Sequence, residues 1–194
     1  MVMKKMLKPV LLLLASLFVS SALAGRLGAP LPALKIDNKG EIVLQGDGQA
    51  GYRAWDSTRL DTRGRVSIVH YLAARREAEK ETRLFLERLK KAGLPRDLYL
   101  LTSIVNVDDV TFGMSSMAVS EMEKTKRQDP ATALVIDYAG QGQKTWGVPA
   151  RHSALFVLGA DGKVIFAKEG GLNPEEVEQA MAAITREVSK RAKP

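Results

Sequence analysis

The chain reads as one α/β domain, a three-layer sandwich with a mixed central sheet, flanking helices and an N-terminal β-hairpin extension. Three observations predict this. Residues 66–72 and 98–107 are β-rich and almost continuously apolar, as strands buried on both faces are. Residues 77–92, and a stretch from Ser115 or Ser116 to Arg127 or Gln128, read as helices between those strands. Residues 154–158 and 164–168 flank the turn sequence Gly159-Ala160-Asp161-Gly162, so they form a hairpin that closes the sheet.

The elements follow in order. Residues 1–24 read as an export signal. Lys4, Lys5 and Lys8 precede an apolar run over residues 10–19, and Ala22-Leu23-Ala24 is a small-x-small cleavage site. Cleavage there leaves residues 25–194 as a single domain. The run is shorter than the roughly 20 residues of a spanning helix, and without cysteine there is no lipidation site. Residues 34–36 and 41–44, joined by a turn at Asp37-Asn38-Lys39-Gly40, are predicted to pair as the N-terminal hairpin. Residues 45–51 form a Gly-rich loop, residues 52–55 a short strand, and Asp56 or Ser57 starts a turn.

Residues 61–65 make a charged turn before the first central strand at 66–72. In the helix at 77–92 the core-facing positions are Ala78, Thr82, Phe85, Leu86 and Leu89; Gly93 ends it and Pro95 prevents its resumption. After the strand at 98–107, Asp108 and Asp109 read as turn or capping residues, and Ser115 or Ser116 as the next helix cap. Residues 133–136 form a third central strand, and Trp146-Gly147-Val148 lies in a loop. After the closing hairpin, Asn173 caps a final helix with Pro174 at its first position and Val177, Ala180, Met181 and Ile184 facing the core. Strands alternating with helices imply a mostly parallel centre, and this order is that of a thioredoxin-like fold.

Composition excludes more than it selects. The 194 residues contain no cysteine. Thiol–disulfide exchange and thiol-based peroxide reduction need a thiolate, so neither is available. The leader carries three of the 29 basic residues and none of the 22 acidic ones, which leaves 26 against 22, a charge of +4 on 170 residues. So mild a charge does not point to nucleic acid. No metal-ligand spacing, nucleophile elbow or phosphate loop is present. The expected state is a periplasmic protein with no cofactor, no metal and no stable membrane anchor, whose partner is a periplasmic protein or peptide.

Several stretches resemble exported thioredoxin-like chains. These are Gly28-Ala29-Pro30-Leu31-Pro32-Ala33-Leu34, Gly64-Arg65-Val66-Ser67-Ile68-Val69-His70-Tyr71-Leu72 and Asp161-Gly162-Lys163-Val164. Ala54-Trp55-Asp56-Ser57, Leu94-Pro95-Arg96-Asp97-Leu98-Tyr99, Thr102-Ser103-Ile104-Val105-Asn106-Val107-Asp108-Asp109 and Phe166-Ala167-Lys168-Glu169-Gly170 resemble the YtfJ family of periplasmic proteins more closely. That family has no established biochemical activity; the label of transcriptional regulator sometimes attached to it conflicts with the export signal. In redox-active relatives a C-x-x-C follows the first core strand, and a cis-proline before the closing hairpin helps to hold extended peptides by backbone bonds. Here the first position reads Arg75-Arg76-Glu77-Ala78, and the second falls at His152-Ser153.

The resemblance therefore implies a non-redox binding or accessory protein, with Arg75, Arg76, Glu77, His152 and Ser153 as candidate binding residues and no catalytic set. The alternative is a hydrolase or transferase built on Asp108, His70 and His152 near the strand ends. His70, inside an apolar strand, reads as a core histidine with a satisfied hydrogen bond. Met114, Met117 and Met122 read as core packing, and Trp55 and Trp146 as core or hairpin anchors.

Overall fold

The computed structural model describes residues 26–60, 64–110 and 113–191. The leader at 1–24 and most of the charged turn at 61–65 lie outside the described residues. A seven-stranded sheet carries the fold, with β1 (Lys35–Leu44), β2 (Ala50–Asp56), β3 (Val66–Ala73), β4 (Tyr99–Asn106), β5 (Ala133–Asp137), β6 (Ser153–Leu158) and β7 (Val164–Glu169). Their order across the sheet is β2-β1-β5-β4-β3-β6-β7. Strands β3, β4 and β5 pair in parallel, and every other neighbouring pair in the sheet is antiparallel. The central strand β3 is buried along its whole length, which its unbroken apolar run requires.

Helices α1 (Arg76–Lys91), α2 (Ser115–Gln128) and α4 (Pro174–Arg191) cover one face. Phe85 and Leu89 of α1 and Val177, Met181 and Ile184 of α4 pack on Val66, Ile68, Leu155 and Val157. Val119 and Met122 of α2 pack on Ile42, Leu134 and Ile136. The opposite face is thinner, covered by α3 (Gln141–Trp146) and the segment from 26 to 34. Trp146 fills it, edge-on to Tyr71 and Phe156 at centroid distances of 5.8 and 5.5 Å, with its indole N–H on the Pro32 carbonyl at 3.0 Å. At α4 the Asn173 side chain accepts from the Glu176 N–H and the Glu176 carboxylate from the Asn173 N–H, both at 2.9 Å. This is the capping box that Asn173-Pro174 foreshadows.

Three expectations are corrected. Residues 37–40 do not turn the chain back: β1 runs through them, and the N-terminal hairpin is β1 with β2, joined by the loop after Leu44. Lys39 and Gly40 both take positive φ, so the glycine-bearing turn sequence is spent on a bulge instead, where the register with β2 jumps between Ile36 and Glu41. That bulge lets residues 39–41 pair with β5, which docks the extension onto the sheet. Trp146 ends a short helix instead of lying in a loop, because Gly140 and Gly142 admit a tight entry that period-counting over six residues cannot register. No serine caps α2; Met114 stands at its cap and Ser115 is its first residue.

Gly40 is the test of the bulge. A β-carbon there would collide with the Arg53 carbonyl, and φ is +70°. Gly40→Ala is expected to lose about 2 kcal/mol or more in urea unfolding; a loss below about 0.5 kcal/mol would show that the bulge is not constrained.

Candidate functional site

The Arg75-Arg76-Glu77-Ala78 stretch, where the resemblance implies a C-x-x-C in redox-active chains, lies at the start of α1. Arg75 precedes it in extended backbone, at φ −138° and ψ 144°, with no side-chain cap, and its guanidinium Nε donates to the Asp109 carbonyl. Arg75, Arg76 and Glu77 line an open cleft of about 680 Å³ between α1 and α2. Leu72, Val105 and Leu134 of β3, β4 and β5 lie at its base; Met117 and Met122 line it from α2. Met122 is buried, but Met114 and Met117 are 40% and 58% exposed. Core packing therefore accounts for one of the three methionines. The other two keep an apolar, polarizable surface open to solvent, a property typical of adaptable binding surfaces.

His152 and Ser153 do not join this cleft. Glu81, in the second turn of α1, reaches across to them. Its carboxylate accepts from the Ser153 N–H and hydroxyl, both at 2.8 Å, and pairs with His152 Nδ1 at 2.6 Å. The loop's backbone is also spent internally. Arg151 N–H donates to Asp109, His152 N–H to the Pro149 carbonyl, and the His152 carbonyl accepts from Ala73. The main-chain donors that would hold an extended peptide here already have partners. No cis peptide bond occurs among the described residues.

The polar residues of the hydrolase alternative fall into separate groups. His70 lies on the helix-covered face, its Nε2 2.7 Å from the Thr82 hydroxyl and its Nδ1 3.4 Å from the Ser103 hydroxyl. It is a core histidine, and burial pulls its pKa down from 6.5 to about 4. His152 pairs with Glu81, and the Asp108 N–H donates to the Asn106 side chain. Asp109 accepts from Asn106 at 3.4 Å and from the Arg151 N–H at 2.9 Å. Both aspartates thus end the strand in a hydrogen-bonded turn. Among the described residues no three His, Asp or Glu side chains approach as metal ligands.

The sequence reading missed a buried polar network beside this turn. Asp137, fully buried at the end of β5, accepts from the Tyr71 hydroxyl at 3.0 Å and from the N–H groups of Ala139, Gln141 and Gly142 at 3.3, 2.9 and 2.8 Å. The Tyr71 hydroxyl accepts from Gln143 N–H at 2.9 Å, and Asn106 donates to the Gln143 side chain at 3.1 Å. Burial, with the adjacent Asp137 charge, pushes the Tyr71 pKa far up. An Asp closing a strand four residues before the first residue of a helix was the available signal, and residues 133–136 stop one short of it.

Residues 26–187 match the family described as "Bacterial protein of unknown function (YtfJ_HI0045)". The chain belongs to the YtfJ family. It is 35% identical to the uncharacterized protein YtfJ of Escherichia coli strain K12, over 93% of this chain and 96% of that one. It is 30% identical to an uncharacterized protein of Haemophilus influenzae, over 79% and 82%. Among solved structures it is similar to the C-terminal domain of a protein described as a thiol-disulfide oxidoreductase from Bacteroides thetaiotaomicron, at 16% identity and a TM-score of 0.54, covering 83% of this chain and 97% of that one. A thiol-disulfide oxidoreductase from Bacteroides fragilis gives 13%, 0.50, 79% and 97%. At these identities the likeness concerns the fold, which is thioredoxin-like. This member of the YtfJ family has the fold without cysteine. No helix among the described residues is long and apolar enough to cross a membrane.

Two measurements test the buried polar groups. The His70 pKa is lower in the folded state than in the unfolded chain, so its contribution is fully present above pH 6.5 and is lost as pH falls toward 4. Unfolding free energy is expected to drop by about 3 kcal/mol across that window, and His70→Gln to remove this part of the slope. An unchanged slope would contradict the burial of a neutral imidazole. Asp137→Asn, which replaces an acceptor-only carboxylate by an amide carrying two donors, is expected to cost about 2–4 kcal/mol in thermal or urea unfolding. A cost below about 1 kcal/mol would show that the network is dispensable.

Proposed function

We propose that this YtfJ-family chain is an exported, non-redox binding protein that holds an apolar segment of another periplasmic polypeptide in the cleft between α1 and α2. The carrying observation is that cleft, with Met114 and Met117 left open to solvent beside the start of α1. Its base is aliphatic, which suits burial of apolar side chains. Charges of both signs line it, Arg75 and Arg76 with Glu77, Glu79 and Glu121, which suits a peptide better than a uniformly anionic or cationic ligand. Thiol chemistry has no group to perform it, so affinity replaces electron exchange as the use of this face. Export through the 1–24 leader and a mature domain of residues 25–194 belong to the same proposal. They fit the positive, apolar and small-residue zones of the N-terminus.

The test has two parts. Fractionation of cells expressing the full chain should place the protein in the periplasm, with N-terminal sequencing reading from Gly25; a cytoplasmic, unprocessed protein would contradict export. Fluorescence polarisation against a panel of apolar and polar peptides should show saturable binding of apolar ones. Met117→Asp should weaken it about tenfold or more, with the melting temperature unchanged because the side chain is exposed. If no peptide saturates below about 1 mM, or if Met117→Asp leaves affinity intact, the cleft is not a peptide site.

A further inference from the structure

A second cavity, of about 340 Å³, opens at the end of the sheet where β4 and β5 begin. Trp55, Thr102, Lys126, Arg53, Arg59 and Glu41 line it. Lys126 is unusual among the lysines of this chain. It lies on the buried side of the last turn of α2 and is 8% exposed. Its ammonium donates to the Pro130 and Thr132 carbonyls at 2.8 and 2.7 Å. An ammonium has three N–H donors, and these two bonds fasten the loop into β5. They do not account for the third.

Two guanidinium groups, of Arg53 and Arg59, also line the recess. Glu41, on β1, pairs with Arg53 at 2.8 Å and with Arg59 at 3.9 Å. One carboxylate therefore faces two guanidinium groups and an ammonium. Among the lining residues the surplus is two positive charges, with Asp129 near Lys126 and Asp56 near Arg59 outside the lining. Fastening the loop uses two of the three ammonium donors, and burying the charge is costly, a cost that an anion in the recess would offset. Guanidinium forks match the oxygens of a tetrahedral oxyanion in shape as well as charge.

We propose that this recess is a binding site for a small phosphate-bearing molecule, with Lys126, Arg53 and Arg59 as its cationic ligands and Glu41 as the group that moderates its affinity. It lies apart from the cleft between α1 and α2, shares none of its lining residues, and does not depend on the peptide-binding reading.

Calorimetric titration of the full chain with inorganic phosphate, with acetate as the comparison anion, is the test. Saturable phosphate binding is expected, with acetate weaker. Lys126→Met should weaken phosphate about tenfold, and Arg59→Gln about fivefold. The Arg59 side chain is 42% exposed, so its variant reports on the site even if Lys126→Met fails to fold. Glu41→Gln should strengthen binding severalfold, because it removes the one negative charge of the lining; a purely structural role for these residues would not produce an increase. Absence of saturation by about 20 mM phosphate, equal affinity for acetate, or unaltered affinity in both the Arg59→Gln and Glu41→Gln variants would overturn the proposal.

Discussion

Asp137 is a buried carboxylate held by three backbone N–H groups and a phenol. An ionised group cannot sit in an apolar interior without such partners. Meeting that requirement shapes everything around it. The three N–H donors are the entry to α3, so the chain leaving β5 must turn at once into that helix. Gly142 sits so close to the Tyr71 ring that a β-carbon there would collide with it. Helix α3 then delivers Trp146 to the centre of the thin layer, where it fills the space over β3 and β6. One polar contact thereby organises the half of the molecule that has little helix to cover it.

The same economy shapes the face formed by α1 and the loop before β6. These two segments meet through Glu81. A carboxylate with three partners, His152 and two groups of Ser153, clamps the loop to the helix. Arg151 and Asp109 tie the loop to the strand ends as well. These bonds occupy the loop's polar groups, and accessible apolar surface lies on the other side of α1, against α2.

Legibility followed the range of the forces involved. The strand stretches at 66–72, 98–107 and 154–158, and the helix ends at Gly93 and Asn173, were readable because periodicity and capping act over a few residues. The Asp37–Gly40 stretch was misread because a turn and a bulge demand the same positive-φ residues; only pairing with β5, about a hundred residues away, separates the two. Met114 and Met117 were misread because helical spacing marks a face without saying whether anything covers it. Of the binding residues inferred from the resemblance, Arg75, Arg76 and Glu77 line the cleft and His152 and Ser153 do not. Sequence placed all five beside one another but could not say which carboxylate would occupy two of them.

By itself the sequence determined the α/β class, the order of nearly every element and the absence of thiol chemistry, since these depend on residue type and local spacing. It located the start of α1 by analogy of position. The tertiary structure alone decided that β1 runs on through a bulge to reach β5, that α3 exists, that Glu81 closes the loop before β6, and that Lys126 is drawn into a cationic recess. Each of those involves contacts between residues distant along the chain, beside the local bonds of Asp137 and Lys126, and such contacts are set by the geometry of packing, which no local pattern encodes.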